Sequence, residues 1–167
     1  MTTNGHCRDF DFQRGCWAVR HRRLKARLAG CQDWEEFDGS CEQRPILGGN
    51  GNIEDNFLHI SSGSYRATAL RSYDPESGNW AIWWLDGRAP HAIDVPVIGR
   101  FEKGVGSFFA EDMLEGQPVC LRFQWLQTDT PFPRWEQALS ADNGATWETN
   151  WTMDFERTYP PVQWKDV

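Results

Sequence analysis

The amino-acid sequence predicts an all-β chain: one domain over residues 1–167, folded as a closed antiparallel up-and-down β-barrel of about ten strands. Three observations carry this reading. Turn signals recur at short intervals, among them Gly39, Gly48-Gly49-Asn50-Gly51, Ser62-Gly63, Asp74-Pro75-Glu76-Ser77-Gly78-Asn79, Glu102-Lys103-Gly104, Glu115-Gly116 and Asp142-Asn143-Gly144. The runs between them alternate, the period of a strand whose neighbours share a face two residues apart. Helical periodicity nowhere persists beyond a few residues, with Leu24 to Leu28 the best candidate and Gly30 ending it.

The first expected strand, 15–24, follows an aromatic lead (Phe10, Phe12). It places Trp17, Val19, His21 and Arg23 on one face and Cys16, Ala18, Arg20 and Arg22 on the other. Strands over 33–45, 51–60 and 64–73 follow. The next, 79–86, has Trp80, Ile82, Trp84 and Asp86 on one face and Trp83 and Leu85 on the other; both faces are apolar, so its inward side is undecided. The longest link, Gly87 to Val95, is a candidate rim or lid. Strands 96–102 and 105–113 precede 117–127, which sets Val119, Leu121, Phe123 and Trp125 against Arg122 and Gln124. In 133–140, Trp135, Gln137 and Leu139 oppose Arg134 and Glu136. In 146–157, Trp147, Thr149, Trp151, Met153, Phe155 and Arg157 are expected inward. Between these two lies Ser140-Ala-Asp142-Asn-Gly144-Ala-Thr-Trp147, the S-x-D-x-G-x-x-W pattern of an Asp-box, read as a folding device. The segment 158–167, with Pro160-Pro161, is expected to be an irregular surface tail. Hairpin-length links make a meander the simplest topology, and closure removes the exposed sheet edges.

Composition narrows the function. A net charge of −7 argues against nucleic acid and anionic membranes as partners. The basic run Arg20 to Arg27 divides between two strand faces and reads as a solvated strand end. No apolar run approaches the roughly 20 residues of a membrane helix, and Met1 to Arg8 lacks a signal peptide's apolar stretch, so a cytoplasmic location is expected. The five cysteines are irregularly spaced, with no C-x-x-C, and read as free thiols. There is no G-x-S-x-G, P-loop or H-E-x-x-H, and Gly49-Asn-Gly51 lacks the rest of a dinucleotide fingerprint. The histidines (His6, His21, His59, His91) are scattered and none falls in the last strands, so neither a metal nor a haem is expected, and no cofactor is assigned.

Ten tryptophans and ten phenylalanines imply either a densely filled barrel or an aromatic-lined cavity. Ten strands leave more interior than side chains readily fill. In the cavity reading, Trp84, Trp125, Trp135 and Trp151 form the walls, with Arg23, Tyr65, Arg71 and Gln137 as further ligand contacts. His21 is the leading proton-transfer candidate because imidazole titrates near neutrality, the competing reading being a hydrogen-bonded wall residue. A carboxylate among tryptophans would also serve as acid or base, and Asp86 and Glu111 are the candidates, with their facing undecided.

Gly15-Cys16-Trp17 with Arg157 resembles the calycin (lipocalin-like) signature, in which a late arginine packs across the tryptophan at the barrel end. Residues 9–157 also resemble a group of bacterial lipocalin-like proteins of unknown function, DUF1579. The matching stretches are Trp34-Glu-Glu-Phe-Asp-Gly39, Trp80-Ala-Ile-Trp-Trp-Leu-Asp86, Arg134-Trp-Glu-Gln-Ala138 and Thr146-Trp-Glu-Thr-Asn-Trp151. The resemblance implies the barrel and says little of function. The expected function is binding of a small, largely apolar or aromatic organic molecule. The alternative is a cofactor-independent cyclase or isomerase that folds its substrate in the cavity. The expected partner is that ligand or substrate, with a homodimer left open.

Overall fold

Gly15 leaves a short 3-10 turn, Asp11–Gln13, at φ +101° and starts β1 (Gly15–Leu24). The computed structural model describes residues 7–158. Nine more strands follow: β2 (Trp34–Ile46), β3 (Gly51–His59), β4 (Tyr65–Asp74), β5 (Asn79–Asp86), β6 (Val97–Glu102), β7 (Val105–Leu114), β8 (Gln117–Leu126), β9 (Arg134–Ser140) and β10 (Glu148–Arg157). Each pairs antiparallel with its neighbour in sequence, and β1 pairs with β10, so the sheet is a closed ten-stranded meander. Every strand expected from the sequence is present, with bounds within two residues. No helix among the described residues is long and apolar enough to cross a membrane. Apart from Thr158, the expected C-terminal tail lies outside the described residues, as do residues 1–6 of the N-terminal stretch.

Register settles the inward faces. Val19 sits opposite Gly39 and His21 opposite Phe37, so the Trp17, Val19, His21, Arg23 face of β1 is internal. On β5, Trp84 pairs with Ala69 and Asp86 with Ala67, both on the interior face of β4. Two alanines provide the room for the tryptophan, which resolves the facing left open by sequence: Trp80, Ile82, Trp84 and Asp86 point inward. Along β7, Phe108 pairs with Phe123 and Asp112 with Val119, so Glu111, opposite Cys120, is on the outer face.

One end of the barrel is filled. Phe10 makes edge-to-face contacts with Trp80, Phe101 and Trp125, at centroid distances of 4.9, 5.0 and 6.2 Å. The Arg157 guanidinium lies 4.1 Å from the Trp17 ring, and it donates to the Phe12 and Arg14 carbonyls. The Trp17 Nε1–H donates to the Gln13 carbonyl at 2.7 Å. The 3-10 turn is thereby pinned as a plug. Above it, β3 and β4 contribute a buried polar group. The Arg71 guanidinium donates to Glu54, to Asn52 Oδ1 at 2.8 Å and to Gln13 Oε1 at 2.9 Å, and Gln13 donates to Glu54.

One expectation for β10 needs correction. The pairing with β9 shifts between Thr149 and Trp151, so a β-bulge inserts Asn150. Glu148 pairs with inward Leu139 and Thr149 with Ala138, after which Asn150 and Trp151 both reach the interior. Trp147 therefore packs outside, with the Arg122 guanidinium 4.5 Å from its ring, and Thr149 also faces outward. The Asp-box loop is tied as a folding device should be. Ser140 Oγ donates to Asp142 Oδ1 at 2.7 Å, the Gly144 and Thr146 amides donate to Ser140 Oγ and Asp142 Oδ1, and Gly144 has φ +84°. The hydroxyl and amide of Thr146 hold the Asp142 carboxyl down to about 2.

Candidate functional site

The other half of the barrel is partly open. A cavity of about 540 Å³ opens at the mouth against β1, β5 and β7 to β10, larger than the roughly 300 Å³ at which ligand sites begin, while Phe37, Leu58, Ile60, Tyr65 and Ala67 fill the β2–β4 side. Its lower wall is apolar, formed by Ile82, Trp84, Leu121, Phe123, Trp135 and Trp151. The three tryptophans interlock: Trp151 meets Trp84 at 85° and Trp135 at 90°, with centroids 5.8 and 5.5 Å apart. Edge-to-face packing of this kind matches the positive ring edge to the negative ring face and adds stability beyond area burial. The walls are therefore stiff, and a bound molecule would meet preformed surfaces.

Polar groups enter at two levels. Gln137 lies opposite Trp151 in the β9–β10 register with Asn150 next to it, and Gln137 Nε2 donates to Asn150 Oδ1 at 2.8 Å. Asn150 is only 1% exposed, and its Nδ2 has no acceptor. Such an orphaned donor costs about 1–3 kcal/mol. Charged groups ring the mouth: Arg23, Lys25 and Arg27 from the end of β1 and the segment after it, and Asp86, Asp94 and Asp112 from β5, the following loop and β7. The Gly87 to Val95 link forms part of this rim. Its course is set by the Asp94 amide donating to the Trp84 carbonyl at 3.0 Å and by a bridge between Leu85 and Ile93. Burial, reinforced by Asp112 and Asp86, pushes the Asp94 carboxyl up.

The cavity gathers Arg23, Trp84, Asp86, Trp135, Gln137 and Trp151 from the residues singled out by sequence. The others lie elsewhere. His21 is 1% exposed and sits behind Trp151, whose Nε1–H donates to His21 Nδ1 at 3.2 Å. Its ring stacks on Phe37 at 4.6 Å. Burial, with Arg23 nearby, pushes its pKa down to about 3, so the imidazole is neutral and occupied as an acceptor. It is a wall residue, and proton transfer to a cavity occupant is out of its reach. Tyr65 is likewise behind the wall: its hydroxyl accepts from Arg23 at 3.4 Å, and the Arg88 guanidinium is 3.6 Å from its ring. Arg71 and Trp125 lie below the cavity, around a separate void of about 20 Å³, room for about one water. Glu111, on the outer face, is exposed to solvent. Asp86 reaches the mouth but is clamped by Arg88, at 2.6 Å, which holds its carboxyl below the ordinary range. It is neither a good general acid nor a strong base.

Asn150, Asp94, Asp112, Lys25 and Arg27 are the polar and charged lining residues that the sequence did not assign to the site. Asn150 was hidden because a bulge breaks strict alternation, and Asp94 because loops carry no periodicity; Asp112, near the end of β7, carries no local sign that it reaches the mouth. Among the described residues no cluster of His, Cys, Asp and Glu is arranged to hold a metal ion. No protein-family model matches the chain, and no curated protein does either.

Proposed function

We propose that this barrel is a lipocalin-like (calycin-type) binding protein whose cavity takes a small molecule with a largely apolar or aromatic body. The observation that carries the reading is the cavity of about 540 Å³, walled by interlocked tryptophans and edged by oriented polar groups. Apolar walls that hold a ligand's body, with placed polar groups that orient it, are the makeup of a ligand site. The Trp17–Arg157 contact at the closed end supports the calycin affiliation.

The enzyme alternative needs a proton-transfer group that touches the occupant. His21 lies behind Trp151, and Asp86 is neutralised by Arg88, so the binding reading is preferred. Native mass spectrometry of freshly purified protein, together with tryptophan-fluorescence titration with the neutral reporter N-phenylnaphthylamine, tests it. The expected result is one bound molecule per barrel, lost in Leu121→Trp, which fills the cavity from β8. Absence of binding, or equal binding by the filled variant, overturns it.

A further inference from the structure

Among the charged residues that line the cavity, cations and carboxylates are segregated. In the ring order of the closed sheet, β1 is five strands from β6 in either direction. Arg23, Lys25 and Arg27 come from the end of β1 and just after it, while Asp86, Asp94 and Asp112 flank β6. The cations and the carboxylates therefore face one another across the mouth. Some are already engaged: Asp86 by Arg88, and Arg23 by Glu35 at 3.4 Å. Lys25 and Arg27 on one side, and Asp94 and Asp112 on the other, have no ion-pair partner among the described residues.

Asn150 adds an independent pointer. Arg23 is opposite Trp151 in the β1–β10 register, so the bulged Asn150 stands beside the end of β1, on the cationic side. Its side chain is buried, lines the cavity and has an unpartnered Nδ2. An acceptor oxygen brought against this side chain by a small shift of the amide would satisfy the donor. Lys25 and Arg27 above it favour an oxygen that carries negative charge. Across the mouth, Asp94 and Asp112 present acceptors and negative charge to a cation.

Resting on the binding function proposed above, we infer that the ligand is zwitterionic at one end: an apolar or aromatic body that enters the tryptophan-walled cavity, with a carboxylate-type anion on the Asn150, Lys25 and Arg27 side and an ammonium-type cation on the Asp94 and Asp112 side. A free amino acid with a large aromatic side chain has this chemistry. The opposed charges orient it, and each wrong orientation places like charges together.

The experiment is competition against N-phenylnaphthylamine at low ionic strength with three probes sharing one phenylalkyl body. They are homophenylalanine (zwitterion), phenylbutyrate (anion only) and phenylpropylamine (cation only). Homophenylalanine is expected to displace the reporter at about threefold to fivefold lower concentration than either singly charged probe, the range for one partly exposed ion pair. Salt should erode the advantage. Asp94→Asn with Asp112→Asn should reduce homophenylalanine to the level of phenylbutyrate. Lys25→Gln with Arg27→Gln should reduce it to the level of phenylpropylamine. If the reporter binds but homophenylalanine is no better than the singly charged probes, or neither double variant changes the order, the zwitterion inference falls and the cavity reading stands. Failure of the reporter itself to bind removes both.

Discussion

Acid should weaken this protein through His21 well before its carboxylates protonate. The imidazole titrates at about 3 in the fold, against an ordinary value of 6.5. The unfolded chain therefore takes up a proton below pH 6.5 that the folded chain refuses until about pH 3, and the folded state loses stability across that window. The slope approaches about 1.4 kcal/mol per pH unit below the unfolded pKa, so the fall from pH 6.5 to pH 4.5 costs about 2 kcal/mol. Asp94, whose carboxyl is pushed up, works in the opposite direction at lower pH. The His21→Phe variant separates the two, since it keeps Asp94 and removes the imidazole. At pH 7 the variant should be weaker than wild type by about 1–3 kcal/mol, because the Trp151 Nε1–H loses its acceptor. At pH 4.5 the two should nearly converge. Urea unfolding followed by tryptophan fluorescence at pH 7.0, 5.5 and 4.5 measures this directly. With a urea dependence of about 2 kcal/mol per molar, the wild-type midpoint should fall by roughly 1 M. A wild-type midpoint that is flat over this range, or a His21→Phe midpoint that falls just as far, would refute a buried neutral imidazole.

Three further outcomes follow from the interior. Arg71→Met strands the buried Glu54 carboxylate and should cost about 3–5 kcal/mol in chemical denaturation, with much of it recovered in the Arg71→Met/Glu54→Gln double variant. Gly39→Ala puts a methyl 2.7 Å from His21 Nε2 and 2.8 Å from the Phe57 carbonyl; the overpacking should cost about 1–3 kcal/mol, read as a lower melting temperature. Arg157→Ala should cost about 1–2 kcal/mol through loss of the stacked guanidinium, and Arg157→Lys should not rescue it, because an ammonium cannot stack on Trp17 while reaching both the Phe12 and Arg14 carbonyls.

Strand number, order and closure were legible because turn residues punctuate the chain and the strands alternate. Facing was legible only where one face was plainly apolar, as on β8. On β5 both faces are apolar, and the decision came from Ala67 and Ala69 on the neighbouring strand, information that lies outside β5 itself. On β10 a single inserted residue reversed the expected sides of Trp147 and Asn150. His21 was correctly placed on an inner face, yet an inner face is not the same as a cavity surface: Trp151 stands in front of it. Which interior half is filled and which is hollow depends on the Phe10 to Gln13 plug, whose docking among distant strands leaves no local signature.

The β1–β10 seam has a further consequence for how the barrel comes to exist. It joins Trp17–Arg23 to Trp151–Arg157, residues more than a hundred apart in the chain. Until β10 has been synthesised, every strand already made belongs to an open sheet with two bare edges, one of them β1. The hazard that closure removes from the finished protein is therefore present throughout translation, and it ends only with the last strand.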